Sequence, residues 1–332
     1  MQRLSLLSIG LTAMISAPTF ADELRIGSWN IRDLHHAEGI ALRSFGGDDG
    51  GQVIYTVRRD EDDFALLEKY RDLFGRDGRE ADVIALQEIG TEAALERLFP
   101  SSDYITIMSP RWVEQDIGDG DGDVYTAIAI RRNSGVDLIR AEHVEGLVVF
   151  DDDGNPTRAG TGALLEYEGE QFWFLSVHLK SSCSSTQRLD LSTTEDCELL
   201  WEQTPALADW NAERRADGSA FIIAGDFNRR FRQLNFEAPL WNALHGAGPE
   251  EEITIDQLGA HPRTVTRRCA TKLGRSTQPI DWILLSPDLA GNFVEGSYWE
   301  RRFTHDDVEA TRYGSTTTGL SDHCPISIDL EF

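Results

Sequence analysis

Short apolar runs recur along the chain, and most of them predict β-strands. Runs rich in Ile, Val and Phe are typical of half-buried or buried strands. Six such segments have the sequences LRIGSWN, DVIALQE, FWFLSVH, AFIIAGDFN, PIDWILLS and SDHCPISIDLEF. In the last segment, Ile326, Ile328 and Leu330 alternate with other residues, as in a strand that buries one face.

Helical spacing occurs between the strands. Phe64, Leu67 and Tyr70 recur at helical intervals. Thr91 is a predicted N-cap for EAALERLF, and a third helix is predicted through CELLWEQTPALADWNAERRADG, with a kink or break at Pro205. Strands and helices alternate early and strands dominate later. This order predicts an α/β (α+β) fold with two sheets packed face to face and helices outside, rather than a doubly wound parallel sheet.

The first 21 residues have the pattern of a cleaved export signal. One charge, Arg3, precedes an apolar run from Leu4 to Ile15 and a small-residue ending at Ala21. The run is shorter than the roughly 20 residues of a membrane span. We therefore expect a signal peptide at 1–21, no stable membrane anchor, and a location outside the cell or in the periplasm. A buried N-terminal helix is the alternative.

The remaining residues, 22–332, have the character of one domain. They contain no Pro/Gly/Ser-rich linker, no low-complexity tract and no internal repeat. A chain of this length can fill one large α/β core. We expect a single domain and a monomer.

The formal net charge of −26 restricts the classes of partner. Such a charge repels phosphate backbones and anionic membranes at long range, which disfavours binding of nucleic acid by electrostatics alone. A phosphate-ester substrate remains compatible with this charge where a divalent cation and local arginines offset the repulsion.

One acidic loop has the spacing of a calcium site at its start. Asp119, Asp121 and Asp123 alternate there, but Val124 replaces the glycine of such a loop and Ile130 its final glutamate. The sequence is compatible both with a structural Ca²⁺ ion in this loop and with a solvated loop that binds no metal.

Four cysteines in an exported chain predict two disulfides. Cys183 and Cys197 bracket a polar loop that they are expected to close, which leaves Cys269 to pair with Cys324. No pair has the C-x-x-C spacing of a zinc site.

Polar residues stand at or next to the ends of the predicted strands. They are Asn30, Glu88, His178, Asp226, Asn228, Asp281, Asp322 and His323. Taken singly, each fits a turn or a hydrogen-bonded cap. Together they offer carboxylates for a hard cation, amides and two imidazoles, without a Ser or Cys nucleophile motif. This set favours hydrolysis of a phosphate ester by an activated water molecule.

Six motifs occur in the order NIRDL, IALQEI, SVHLKS, AGDFNRR, IDWILLS and SDHCPI. In this order and spacing they resemble the endonuclease/exonuclease/phosphatase superfamily, which includes the pancreatic-type deoxyribonucleases. The resemblance extends from Leu24 to Phe332. It implies a four-layered sandwich of two packed mixed sheets flanked by helices.

The resemblance also implies the metal site and the water-activating residues. Glu88, with Asn30 nearby and Asp322 assisting, would hold Mg²⁺ or Mn²⁺ against the phosphate oxygens. Asp226 would orient or deprotonate the attacking water. Asn228 would hydrogen-bond to the reacting phosphoryl group.

The two histidines complete the implied catalytic set. His323, oriented by Asp281, and His178 would stabilise the developing negative charge or protonate the leaving oxygen. Secreted deoxyribonucleases of this type pair the equivalent of His178 with a glutamate on the strand that here has the sequence VYTAIAIRR. This chain has no acid there beyond Asp123, so the orientation of His178 is open.

Four arginines are candidate phosphate contacts. Arg32 lies in the first motif, Arg158 precedes the run GTGALLEY, and Arg229 and Arg230 follow Asn228. Each could bind a phosphate or form an ion pair with a nearby acid.

The superfamily core does not identify the substrate, because related enzymes act on DNA, RNA, sphingomyelin, phosphoinositides and nucleotide esters. We expect a secreted nuclease acting on DNA, with RNA as a further candidate substrate. One alternative is a lipid phosphodiesterase of the sphingomyelinase kind, or another small-molecule phosphoesterase, in which GSYWERRF would supply membrane-contacting aromatics. A binding protein without catalysis is the other alternative.

Overall fold

The computed structural model describes residues 23–34, 42–44, 55–57, 59–109, 124–183, 189–231, 240, 244, 280–313, 317–318 and 320–332. The expected signal peptide, Asp119 to Asp123 of the expected calcium loop, and Cys269 lie outside these residues. Among the described residues, no helix has both the length and the apolar character of a membrane span.

The strands are β1 Glu23–Leu34, β2 Leu42–Ser44, β3 Tyr55–Val57, β4 Val83–Ile89, β5 Tyr104–Met108, β6 Tyr125–Arg131, β7 Asp137–Val144, β8 Gly160–Tyr167, β9 Glu170–His178, β10 Ala220–Asp226, β11 Asp281–Leu285, β12 Trp299–Glu300, β13 Arg312–Tyr313, β14 Thr317–Thr318 and β15 Ile326–Glu331. The α-helices are α1 Glu61–Arg71, α2 Glu92–Leu98, α3 Glu195–Ala216, α4 Pro287–Ala290 and α5 His305–Ala310.

Two mixed sheets form the body of the protein. The larger has the order β12-β15-β1-β4-β6-β5 and the smaller the order β11-β10-β9-β8-β7. β1 is parallel to β4 and β9 is parallel to β10, so the members of each pair end at the same edge. β15 and β11 run antiparallel to β1 and β10 and begin at that edge. The predicted site residues therefore lie at strand ends and strand starts along one side of the molecule.

Apolar clusters divide the molecule into four layers. One cluster fills the space between the sheets and includes Ile26 and Phe174. A second packs α1 and α2 on the outer face of the larger sheet through Phe64 and Leu95. A third packs α3 on the outer face of the smaller sheet through Leu207. The predicted sandwich of two mixed sheets with flanking helices is confirmed.

Local signals account for the helix starts. Thr91 accepts a hydrogen bond from Ala94 N–H at 3.1 Å and caps α2, as predicted. At the start of α1, Asp60 and Asp63 form a reciprocal capping box. The buried face of α1 carries Phe64 and the other apolar residues of the predicted stripe.

Of the kink or break expected at Pro205, the break is absent. α3 runs from Glu195 to Ala216 with Pro205 inside it. Pro205 lies on the exposed face of the helix, and so does Trp201, whose carbonyl is the one that a residue at position 205 would bond. Carbonyls on the solvent side of a helix tilt toward water, so water can replace the backbone donor that Pro205 lacks.

Cys183 and Cys197 form the predicted disulfide, across 14 residues of sequence. It joins the segment after β9 to the first turn of α3. The pairing of Cys324 with Cys269 stays a prediction, because Cys269 is outside the described residues.

Replacing both Cys183 and Cys197 by serine should lower the free energy of unfolding by about 3 kcal/mol, the entropy of closing a loop of this size in the unfolded chain. Urea unfolding without reductant measures the change. A loss below about 1 kcal/mol would contradict this reason and show that the unfolded chain already retains structure in this loop without the bond.

Candidate active site

Side chains from both sheets converge on one carboxylate oxygen. Oδ2 of Asp226, at the end of β10, lies 3.2 Å from Nδ2 of Asn30. The same oxygen lies 3.7 Å from Nε2 of His323 and 3.8 Å from Nε2 of His178. Asp226 is 2% exposed, so these contacts form in a largely desolvated place.

Asn30 links the carboxylates of Asp226 and Glu88. Its Nδ2 also donates to Oε1 of Glu88 at 2.9 Å, while its Oδ1 accepts from the N–H of Arg32 at 3.0 Å. Oε2 of Glu88 accepts from the N–H of Asp33 at 3.1 Å. Asn30, predicted beside the metal, thus points its amide nitrogen at the carboxylates of Glu88 and Asp226 and its amide oxygen at the backbone N–H of Arg32.

His323 and Asp281 form the predicted pair. Nδ1 of His323 lies 2.9 Å from each carboxylate oxygen of Asp281. Burial opposes protonation of His323, but Asp281 and Asp226 outweigh it and raise the pKa of His323 well above its usual value. The imidazole is therefore a cation at neutral pH, held by Asp281 with its Nε2 toward Asp226.

The pKa of His178 moves in the opposite direction. Burial is the main cause, followed by repulsion from Arg158 and His323, and together they hold the pKa of His178 well below its usual value. Among the described residues, none hydrogen-bonds to its Nδ1. His178 is a neutral imidazole, so the two histidines of the site differ in charge.

Burial raises the pKa of Asp226 to about 7, although the cationic His323 counteracts it. Repulsion from Asp281 and Glu88 adds to the rise. A carboxyl group with this pKa exchanges a proton readily near neutral pH.

The turn after β10 depends on two unusual backbone positions. Gly225 has φ 147°, and a Cβ there would lie 2.0 Å from the carbonyl oxygen of Val177 on the parallel neighbour β9. Asn228, with φ 51°, donates its backbone N–H to Oδ1 of Asp226 at 2.8 Å and its side-chain amide to Leu179 O at 2.9 Å. Asn228 holds Asp226 and keeps one amide hydrogen for a substrate oxygen.

The four candidate arginines occupy different environments. Arg32 is half-buried, with Nε 3.9 Å from Oδ1 of Asp322. Arg158 is half-buried and close enough to His178 to lower its pKa. Arg230 is half-buried, and its Nε has no hydrogen-bond partner among the described residues.

Arg229 does not fit the predicted phosphate contact. Its side chain is 0% exposed, and its Nη1 points at Sγ of Cys183 at 3.5 Å. Its carbonyl accepts from Nε1 of Trp282 at 2.9 Å. Of the two adjacent arginines, the second, Arg230, is therefore the one that is partly exposed.

The donor chemistry fits a divalent cation. Candidate ligand atoms of Asp226, Asp281 and His323 lie within 4.8 Å of one another. A cationic His323 has no lone pair for a metal, so the carboxylates are the donors. Glu88 and Asp226 converge on the same amide of Asn30. Carboxylate oxygens are the ligands that Mg²⁺ and Mn²⁺ prefer. Burial is the main cause of the raised pKa of Asp226, and repulsion from Asp281 and Glu88 adds to it; a bound cation would oppose that repulsion.

Three residues of the site were not predicted. Ser321 donates to Asn30 O at 2.5 Å and accepts from the N–H of His323 at 2.9 Å, so it fixes the His323 segment on β1. Asp33 bonds Glu88 through its backbone. Arg59 donates to β1 carbonyls, and burial lowers its pKa to about 10, which leaves it charged at neutral pH. Ser321 and Asp33 had a signal, since they stand inside the SDHCPI and NIRDL motifs, whereas Arg59 lies outside all six motifs.

The aromatic residues of GSYWERRF are packed against the protein. Phe303 is buried with Trp29 and Tyr70, and Tyr298 packs against the cluster between the sheets. Trp299 contacts the guanidinium of Arg301. This segment does not form an exposed aromatic hairpin.

Comparison with known families gives one assignment. The profile described as Endonuclease/Exonuclease/phosphatase family matches residues 27–323. A search of curated protein sequences gives no match.

Solved structures share the fold at low sequence identity. A D. rerio TDP2 complexed with single strand DNA product is 17% identical, with a TM-score of 0.54, and the match covers 93% of this chain and 99% of that one. An endonuclease/exonuclease/phosphatase from Bacteroides vulgatus is 14% identical, with a TM-score of 0.55 and coverage of 93% and 99%. The human Nocturnin catalytic domain with bound sulfate anion is 16% identical, with a TM-score of 0.50 and coverage of 93% and 93%. At these identities the likeness shows the fold alone.

Proposed function

Since the chain belongs to the endonuclease/exonuclease/phosphatase family, we propose that it is a divalent-metal-dependent phosphodiesterase that cleaves nucleic acid, with DNA as the principal substrate. The family is one of phosphoesterases and nucleases, and the fold of this chain is theirs. The metal requirement and the substrate are the proposed part.

One observation carries the proposal. Oδ2 of Asp226 lies within 4 Å of Nε2 of the neutral His178 and of the cationic His323. The same oxygen accepts a hydrogen bond from the side-chain amide of Asn30, which also donates to Glu88. A base, two donors and a metal-binding carboxylate thus surround one small volume. In-line displacement at phosphorus needs all of these groups together.

Each side chain has a task in this scheme. Asp226 accepts the proton of the attacking water, for which a pKa of about 7 is suitable. His323, kept cationic by Asp281, donates a hydrogen bond or its proton to a phosphoryl or leaving oxygen. His178 donates from its neutral ring, and Asn228 offers its remaining amide hydrogen.

A divalent cation, Mg²⁺ or Mn²⁺, would neutralise the charge of the phosphate oxygens when bound. Glu88 would hold it, with Asn30 and Asp322 nearby. Arg32, Arg158 and Arg230 would add local positive charge in a chain whose net charge is −26. A structural Ca²⁺ ion in the acidic loop remains a separate proposal.

Two observations favour nucleic acid over lipid. The D. rerio TDP2 structure of the same fold contains a single strand DNA product. The aromatic segment that a membrane-binding enzyme would expose is packed against the protein, with Phe303 8% exposed. The proposal includes export to the periplasm or medium after removal of 1–21, and a monomeric mature protein.

Purified protein should cleave plasmid and single-stranded DNA in Mg²⁺ or Mn²⁺, and EDTA should abolish the cleavage. Single-stranded RNA, sphingomyelin vesicles and a nucleotide monoester are the comparison substrates. Faster turnover of sphingomyelin than of either DNA would replace the nuclease assignment with the lipid one. Cleavage that persists in EDTA would remove the metal from the proposal. A mature N-terminus at Asp22, found by sequencing, would support export.

A further inference from the structure

Arg59 is a buried cation that none of the roles above uses. Its side chain is 2% exposed and is one of the largest fully buried side chains in the described structure. It stands directly before Asp60, the N-cap of α1. Helix capping accounts for Asp60 but not for a buried guanidinium beside it.

The guanidinium of Arg59 binds the backbone of β1 where this strand leaves its regular pairing. Nη2 donates to the carbonyls of Ile31 at 2.8 Å and Arg32 at 2.7 Å, and Nη1 reaches that of Asp33 at 3.5 Å. The pairing of β1 with β4 shifts register across this segment. Such a shift leaves backbone groups without regular partners, and Arg59 supplies the donors.

The same segment has an uncommon backbone conformation. Arg32 has φ 57° and Asp33 has φ 44°, in the left-handed region that residues other than glycine rarely adopt. Two such residues in succession persist only where surrounding contacts hold them. The bonds from Arg59 are contacts of this kind.

The segment held by Arg59 makes two contacts with the site. The N–H of Asp33 donates to Oε2 of Glu88 at 3.1 Å. The N–H of Arg32 donates to Oδ1 of Asn30 at 3.0 Å and so directs the amide nitrogen of Asn30 toward Glu88. The irregular segment of β1 between Asn30 and Leu34 is called the bulge below. Both oxygen atoms of the Glu88 carboxylate are therefore oriented by groups at or next to this bulge.

We propose that Arg59 is a positioning residue of the site, which holds the bulge so that the Glu88 carboxylate keeps the orientation needed to bind a divalent cation. This inference rests on the proposed function, because it concerns the same metal-dependent site. Arg59 does not touch the substrate. Arginine suits the task since its planar guanidinium spans consecutive carbonyls, whereas the compact ammonium of lysine reaches fewer.

Arg59→Met removes the donors and keeps an apolar side chain of similar reach. Titration calorimetry with Mn²⁺, without substrate, should show affinity about 10- to 100-fold weaker than in the wild type, the usual loss when a group that orients a metal ligand is removed. The kcat/KM for DNA should fall by a similar factor. Arg59→Lys should recover part of both losses.

Arg25→Met is the matched control. Arg25 is also buried and lies near the other end of β1, where its Nε donates to Oδ1 of Asp329 at 2.7 Å. Its loss should lower the melting temperature and leave the Mn²⁺ affinity unchanged. Should Arg59→Met fail to fold, Arg59→Lys carries the test in its place.

Wild-type Mn²⁺ affinity in a folded Arg59 variant, with only a lower melting temperature, would overturn the inference and make Arg59 a structural residue. If the wild type itself neither binds Mn²⁺ nor cleaves DNA, the proposed function fails and the inference fails with it. The wild-type measurement therefore separates the two failures.

Discussion

Replacement of Asp226 by asparagine should abolish hydrolysis and, at the same time, stabilise the metal-free protein. Asparagine keeps the shape of the side chain but cannot accept a proton from water, so kcat should fall by at least about 10³-fold. The kcat for DNA cleavage in Mg²⁺ measures this loss. The change in stability follows from the buried position of Asp226.

The sign of the stability effect depends on pH. Burial raises the pKa of Asp226 from 3.8 to about 7, so ionisation is harder in the folded protein than in the unfolded chain. Below pH 4 both states are protonated and the group has no effect. Between about 4 and 7 the stability falls as pH rises, and above 7 the full penalty is present. Asp226→Asn should therefore raise the melting temperature in EDTA by a few degrees at pH 8, and by much less at pH 4.

Asp329→Asn is the control for this prediction. Asp329 is also a buried carboxylate, but it pairs with Arg25 at 2.7 Å, away from the site. Its replacement should lower the melting temperature and retain catalysis. An Asp226→Asn protein with wild-type turnover would remove Asp226 from the mechanism. An unchanged melting temperature at pH 8 would show that Asp226 is not under electrostatic strain.

Replacement of Asp281 by asparagine should reduce kcat/KM by about 10²- to 10⁴-fold and change its pH dependence. Asp281 is the largest of the influences that raise the pKa of His323, against the effect of burial. Without it, His323 should lose its proton at lower pH. The alkaline limb of the kcat/KM profile should therefore move to lower pH.

The stability of the wild type carries the same signature. Because the pKa of His323 is raised in the folded protein, protonation of this histidine increases the free energy of unfolding. This contribution is complete below the ordinary histidine pKa of 6.5 and is lost as pH rises through the raised pKa. Asp281→Asn should remove most of this pH-dependent stability. NMR titration of the His323 ring reports the pKa directly.

A double-mutant cycle separates this mechanism from a general disturbance of the site. If Asp281 acts through His323, then Asp281→Asn should cost little in a His323→Ala background. Additive losses in the double variant would mean that Asp281 has an independent role, such as metal binding with Asp226.

The sequence determined the features that depend on neighbouring residues. Apolar periodicity located the strands that carry the site and the buried face of α1, and Thr91 marked the start of α2. The chemistry of the candidate residues was also visible, because each stands next to a recognisable strand. The Cys183–Cys197 bond followed from a polar loop between two cysteines.

Features that depend on distant parts of the chain were not visible in this way. Pro205 was expected to kink or break a helix, yet α3 continues through it, with Pro205 on the exposed face. Arg229 and Arg230 are adjacent in sequence, and only packing around Cys183 decides that Arg229 is buried. Nothing local to Arg59 indicates that its guanidinium meets β1 carbonyls 26 to 28 residues earlier.

The two histidines show the same division. Both were predicted in the site from their positions near strand ends, and the resemblance implied that Asp281 orients His323, but their charges could not be predicted from the sequence. The fold places His323 against Asp281, 42 residues away, and leaves His178 buried beside Arg158 without a carboxylate at its Nδ1 among the described residues. The sequence by itself determined the candidate residues that lie next to strands, because their motifs are local, but it did not exclude Arg229 or indicate Arg59. Tertiary structure decided which of them are charged, because burial and long-range neighbours set each pKa.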